Sequence, residues 1–147
     1  MDGSWFTFDA GRASMNKQGH SRQVILCADD TETAAQRELF RRVLQTAGYT
    51  VLIATSAHKA LEIFQKNHVD LVLTEHMAFA ANGGPTVAAT LKRLNPDVPV
   101  AIYSADWTES PEDMRFADMF ITKLVSVDEL LRTIMRLLDK VPTRAAA

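Results

Sequence analysis

Asp29 and Asp30 follow one apolar run, Glu75 ends another, and Ser104 and Lys123 follow two more. Three carboxylates, a hydroxyl and an ammonium are the residue types that hold a divalent cation and a phosphoryl group together. Carboxylates converging on one point repel one another unless a cation sits among them. Oxygen-only ligation suits magnesium, which takes carboxylates, water and substrate phosphate. A hydroxyl and an ammonium on the opposite side would receive phosphoryl oxygens. The five positions are far apart in the chain, so the chemistry exists only if the intervening elements bring them together.

Those elements are legible in the apolar pattern. Gln23 to Ala28, with Val24, Ile25 and Leu26 at its centre, reads as a buried strand, and Leu71 to Leu73 reads the same way. Further strands are expected over Tyr49 to Ala54, Val98 to Tyr103 and Met119 to Thr122. Between them, Thr31 to Ala47 carries Leu39, Phe40, Val43, Leu44 and Ala47 at helical spacing, and Gly48 closes it as a C-terminal cap. Ser56 caps a second helix with Ala60, Leu61 and Phe64 inward. Asn82-Gly83-Gly84-Pro85 reads as a turn into a third helix, with Pro85 in its first turn and Val87, Ala88 and Leu91 inward as far as Leu94. The stretch from Asp106 to Asp118 leaves room for about two to three helical turns. Ser126-Val127-Asp128-Glu129 is a capping box for a last helix whose apolar face is Leu130, Leu131, Ile134, Met135 and Leu138. Five strands alternating with five helices predict an α/β fold, a doubly wound five-stranded parallel sheet covered on both faces. Ligands in such folds sit beyond the carboxyl ends of the strands. All five chemistry-bearing positions fall there.

Composition narrows the function. The 147 residues suit one domain, and an apolar fraction of 47% with 23% charged residues is that of a water-soluble globule. A net charge of −2 leaves no electrostatic footprint for nucleic acid or an anionic membrane. No apolar run approaches the roughly 20 residues that span a bilayer, and no secretory signal is apparent, so a cytoplasmic protein is expected. The lone Cys27 lies in an apolar run and reads as a buried, inert thiol. Residues 1–21 read as a flexible tail, in which Trp5, Phe6 and Phe8 are the apolar exception; residues 22–140 form the domain and 141–147 a second tail.

The order of these motifs resembles the response-regulator receiver domain of bacterial two-component systems, over roughly Gln23 to Leu138. Asp29-Asp30 match the acidic pair after the family's first strand, and Ser104 with Ala105 match the hydroxyl position after the fourth. Lys123 matches the lysine after the fifth strand, and Phe120 the aromatic residue that in the family switches rotamer together with the hydroxyl. Asn82-Gly83 falls where a polar residue and glycine follow the acceptor. The resemblance implies a flavodoxin-like fold, a Mg2+ held by Asp29, Asp30 and Glu75, and a role in phosphorelay signalling rather than catalysis. The implied partners are a histidine kinase or a downstream effector, with no nucleic acid and no membrane, and with a homodimer left open. With tails this short, no output domain is expected inside the chain.

The chain departs from the pattern where chemistry is most sensitive. Glu75 stands where the family has its phospho-accepting Asp; Phe79 and Leu124 replace prolines; and the segment from Ser104 to Lys123 is short. One extra methylene displaces the Glu75 carboxylate, and a misplacement of about 1 Å can cost on the order of 100-fold in an in-line reaction. The expectation is a pseudo-receiver that works by protein contact. Two alternatives stand beside it: a conventional phosphorylatable receiver, and a small phosphatase-type enzyme on the same fold. The bland readings are equally definite. Asp29-Asp30 could be helix-capping acids, Phe120 plain core and His76 a structural histidine, while His20, His58 and His68 share no zinc-ligand spacing with it.

Overall fold

A computed structural model describes residues 22–80, 83–106 and 111–139. The tails expected at 1–21 and 141–147, with Trp5, Phe6 and Phe8, lie outside the described residues, as do Asn82 and Trp107. The chain runs β1 (Val24–Ala28), α1 (Ala34–Thr46), β2 (Thr50–Ala54), α2 (Ala57–Lys66), β3 (Leu71–Thr74), β4 (Ala78–Ala80), β5 (Gly83–Thr86), α3 (Val87–Leu94), β6 (Val100–Ser104), α4 (Pro111–Phe116), β7 (Met119–Thr122) and α5 (Val127–Asp139). Five strands form one parallel sheet in the order β2-β1-β3-β6-β7. The doubly wound architecture expected from the alternating pattern is the one observed, a flavodoxin-like fold.

The central strands are apolar throughout because both faces of the sheet are covered. Every residue of β3 is buried. Its Val72 joins Leu26, Val87, Leu91, Val100 and Ile102 on the face of α2 and α3. Leu71 and Leu73 point the other way and pack with Ile25, Leu44, Ala101, Leu130 and Ile134 on the face of α1 and α5. Burying each such side chain stabilises by roughly 1.5–3 kcal/mol. The register of these strands aligns their carboxyl ends: Ala28 lies opposite Thr74, and Ser104 opposite Thr122.

Local chemistry sets the ends of the helices. Thr33 caps α1: its side chain accepts from Gln36 N (3.1 Å), and Gln36 Oε1 accepts from Thr33 N (2.8 Å), a complete capping box. The helix therefore begins at Ala34 rather than at Thr31, which leaves residues 29–33 free to shape the rim. Gly48, at φ +105°, follows the helix in a left-handed conformation that a side chain would resist. In α5, Ser126 Oγ accepts from Glu129 N at 3.1 Å.

Three expectations are corrected. Pro85 does not open α3; it lies in β5, which pairs antiparallel with β4, and Thr86 is the cap of α3, accepting from Ala89 N. Gly84, at φ +96°, allows the chain to fold back at this point, and proline, with no N–H to offer, is tolerated in a two-stranded ribbon. On α5 the inward residue is Leu137, while Met135 is 54% exposed; on α1, Leu39 is 66% exposed and Leu44 is the buried contact. The fourth helix is described over Pro111–Phe116, within the room expected for it.

Candidate functional site

The ladder of the sheet carries directly into the residues that could do chemistry. Asp29 N donates to Ala54 O (3.0 Å), Glu75 N to Ala28 O (2.8 Å) and Lys123 N to Ser104 O (3.0 Å). Each residue is thus the first beyond a strand, with its backbone still fixed by the neighbouring strand. Because the strand ends are in register, their side chains meet on one rim.

Lys123 is at the centre. Its Nζ lies 2.6 Å from Asp29 Oδ2, 3.2 Å from Glu32 Oε2 and 3.4 Å from Glu75 Oε2, and the four side chains are only 8–19% exposed. The ammonium also sits 5.6 Å from the centre of the Tyr103 ring, within cation–π range, and Tyr103 stacks on Phe40. Burial opposes charge on Lys123, but its hydrogen bonds to and attraction by Asp29 and Glu32 hold its pKa above the ordinary lysine value. For Asp29, burial acts upward and is outweighed by hydrogen bonds from Lys123 and Thr31, so its pKa lies below the ordinary aspartate value. The Cys27 thiol beneath the site is pushed up by burial and by the nearby Glu32 and Asp29, which leaves it inert.

The carboxylate oxygens are largely committed. Asp29 Oδ1 accepts from Thr31 N (2.7 Å) and Thr31 Oγ1 (2.6 Å), and its Oδ2 faces the ammonium. Glu75 Oε2 also faces the ammonium, and Glu75 Oε1 accepts from His76 N at 3.0 Å. Asp30 is exposed. Among the described residues no group of three His, Cys, Asp or Glu side chains is arranged to hold a metal. Asp29, Asp30 and Glu75, the set expected for Mg2+, do not converge as three ligands here: the cation between Asp29 and Glu75 is Lys123.

Sequence reasoning did not place two other members of the site. Glu32 completes the triad of acids around Lys123, although an acid just before a helix carries no distinguishing mark; its place three residues after Asp29, inside the strand-end loop, was the available hint. His76 donates from Nδ1 to Asp113 Oδ2 at 2.7 Å, across 37 positions of sequence, and Asp113 is 1% exposed. The His76 ring lies 6.3 Å from Phe120. Ser104 is buried and its Oγ accepts from Asp106 N (3.0 Å); with His76 and Phe120 it lines a small cavity of about 10 Å³. Asp29, Glu75 and Lys123 are thus brought together, Ser104 and Phe120 stand beside them around a separate small void, and Asp30 stands apart.

This arrangement can be set against known proteins. The family described as the response regulator receiver domain matches residues 25–135. The autoinducer 1 sensor kinase/phosphatase LuxN of Vibrio campbellii is 33% identical over 90 residues, 61% of this chain and 10% of that protein. The transcriptional regulatory protein RprY of Bacteroides fragilis is 28% identical over 122 residues, 81% of this chain and 50% of that protein. The chain therefore spans from a tenth to half of the length of these relatives. Among solved structures, a CheY-like receiver domain protein from Methanospirillum hungatei JF-1 superposes with a TM-score of 0.68 at 25% identity, covering 82% of this chain and 96% of that one. The response regulator TrrA from Thermotoga maritima, in complex with Mg2+ and BeF, gives 0.65 at 26% identity, covering 78% and 98%.

Proposed function

Since this chain belongs to the response regulator receiver domain family of two-component signalling, we propose that it is a pseudo-receiver, signalling through protein contact without taking a phosphoryl group on Glu75. One observation carries the reading. The carboxylate at the acceptor position is closed into the pocket, Oε2 on Lys123 and Oε1 on the His76 backbone N–H. An acceptor must present an oxygen in line with the phosphorus while the lysine receives the phosphoryl oxygens. The longer Glu75 side chain instead places its own charge against the ammonium, where an incoming phosphoryl group would have to go.

The metal follows the same reasoning. Receiver domains typically bind Mg2+ at this rim, and the TrrA structure holds it with BeF. Here Lys123 offsets one of the three charges of Asp29, Glu32 and Glu75 and engages an oxygen of each, so binding of the ion through Asp29 and the exposed Asp30 is weak. The partners are a histidine kinase or a downstream effector, as for receiver domains at large. No helix among the described residues is long and apolar enough to cross a membrane.

The test is the intact mass of the chain after incubation with acetyl phosphate and Mg2+. The mass should not change. Addition of one phosphoryl group, mapped to Glu75, would overturn the proposal and leave a conventional phosphorelay receiver.

A further inference from the structure

The last turns of α3 and α4 meet over one aromatic ring. Arg93 Cζ lies 4.7 Å from the centre of the Phe116 ring and Arg115 Cζ lies 5.3 Å from it, both within cation–π range. Both arginines are exposed, and Phe116 is half-buried. Among the described residues neither guanidinium has a carboxylate within ion-pair distance, whereas the acids of this corner are engaged elsewhere. Asp118 Oδ2 takes Lys92 Nζ and Val100 N, both at 2.7 Å; Asp113 Oδ2 takes His76; and Glu112 Oε2 accepts from Thr86 N at 2.6 Å. Glu112 is attracted by Arg93 only at longer range. Basic residues suit the C-terminal turn of a helix, which accounts for one charge on each element. It does not account for two like charges gathered on one ring. Leu94 and Met114, their chain neighbours, are large apolar side chains left 49% and 53% exposed.

We propose that this corner is a docking surface for an acidic segment of a partner protein, with Arg93 and Arg115 receiving its carboxylates and its apolar side chains covering Phe116, Leu94 and Met114. Charge complementarity carries the proposal: two guanidiniums that repel one another and pair with no acid are relieved by an anion. Each planar guanidinium can meet a carboxylate with two parallel N–H donors. The shared ring holds both side chains before the partner arrives, so less freedom is lost on docking. Arginine and aromatic residues are also the types that anchor protein interfaces. Two cations on a chain of net charge −2 are too few to follow a nucleic-acid backbone, and the apolar neighbours suit a polypeptide. The last turns of α3 and α4 lead back to the amino ends of β6 and β7, so the surface lies at the end of the sheet opposite the Lys123 rim. The proposal rests on the reading of the chain as one that signals through protein contact, and it puts such a contact away from the pocket.

The probe is a short fluorescent peptide of glutamates interspersed with leucines, added to the full chain without acetyl phosphate. Binding is followed by fluorescence polarisation at about 0.1 M salt, where exposed charges more than about 10 Å apart are largely screened. Saturable binding is expected, and the same peptide with lysines in place of the glutamates should not bind. Arg93→Gln combined with Arg115→Gln should weaken binding about fivefold or more, as the loss of two exposed charge pairs implies. Arg42→Gln combined with Lys59→Gln removes as much charge from α1 and α2, where the two cations pair with Glu38 and Glu62, and should leave binding within about twofold. No saturable binding, or an equal loss in the two double variants, overturns the proposal. So does a DNA duplex that binds more tightly than the peptide through the same two arginines, or self-association of the chain that vanishes in Arg93→Gln/Arg115→Gln, since nucleic acid or a second copy would then be the occupant. Amide shifts of the wild type on adding the peptide need no variant: they should gather around Arg93 and Phe116, and shifts confined to other residues overturn the assignment. A modified Glu75 in the mass measurement would sink the pseudo-receiver reading and leave the peptide result standing, whereas a failed peptide result with Glu75 unmodified would sink this surface alone.

Discussion

Replacing Lys123 with alanine removes the ammonium that faces Asp29, Glu32 and Glu75 at 2.6, 3.2 and 3.4 Å. At an effective dielectric constant of about 20, one pair of unit charges 4 Å apart attracts by about 4 kcal/mol. Part of that attraction offsets the desolvation of the groups, and the pocket retains some access to water. Breaking a buried pair from one side costs about 3–5 kcal/mol, and the low end applies here. For a domain of this size 3 kcal/mol lowers the Tm by roughly 10 °C. The variant also leaves three acids facing one another with nothing to neutralise them, and Mg2+ should then bind. An ion at a hundredfold excess over its Kd stabilises by about 2.7 kcal/mol, which would recover most of the loss. Thermal melts followed by circular dichroism, with and without millimolar Mg2+, read both effects. The expected pattern is a Tm that Mg2+ raises strongly in Lys123→Ala and little in the wild type. Equal rises in the two proteins would refute the reasoning, because Lys123 would then not be the cation of the site.

Other predictions follow from the fold. Leu91 is fully buried, and Leu91→Ala should cost about 2–5 kcal/mol in urea unfolding, whereas Leu39→Ala, at a 66% exposed position, should stay within about 0.5 kcal/mol. Thr33→Ala removes the side-chain half of the α1 capping box, keeping the backbone N–H that Gln36 Oε1 accepts from, and should cost about 1 kcal/mol, with faster amide exchange confined to the first turn of the helix. The Thr86 backbone N–H holds the Glu112 carboxyl below the ordinary glutamate range. The stability this lends is fully present above the unfolded value of about 4.3 and is lost as pH falls through the folded value. Urea midpoints for the wild type and Glu112→Gln should therefore differ at neutral pH and converge in acid; parallel curves would contradict that assignment.

Much of this was written in the apolar pattern. Strands such as Leu71–Thr74 are buried on both faces, so they appear as unbroken runs, and each run ends where a charged or hydroxyl residue begins. The parallel register then places Asp29, Glu75 and Lys123 on one rim without further information. Misreadings arose where two local rules compete. Pro85 suits a first helical turn as well as a ribbon edge, and only pairing with Ala78–Ala80, a tertiary fact, decides between them. Met135 and Leu137 are both apolar, and a small difference in helix rotation selects Leu137 for the core. His76 and Asp113 are 37 residues apart on elements whose approach depends on the length of the segment before β7. Nothing in either residue's neighbourhood marks it as half of a pair. Glu32 was hidden for a different reason: acids before helices are common, and only the position of the Lys123 ammonium gives this one a role.

The central claim is that a single methylene at Glu75 separates this pocket from phosphoryl transfer. The most direct measurement is the rate of phosphorylation by acetyl phosphate in Mg2+, read as intact mass over time for the wild type and Glu75→Asp in parallel. The account predicts a phosphorylated Glu75→Asp and a wild type that stays unmodified over the same time, as a misplaced carboxylate that costs on the order of 100-fold or more implies. Equal rates, or an Asp variant that stays unmodified, would contradict it, because the defect would then lie elsewhere or not exist.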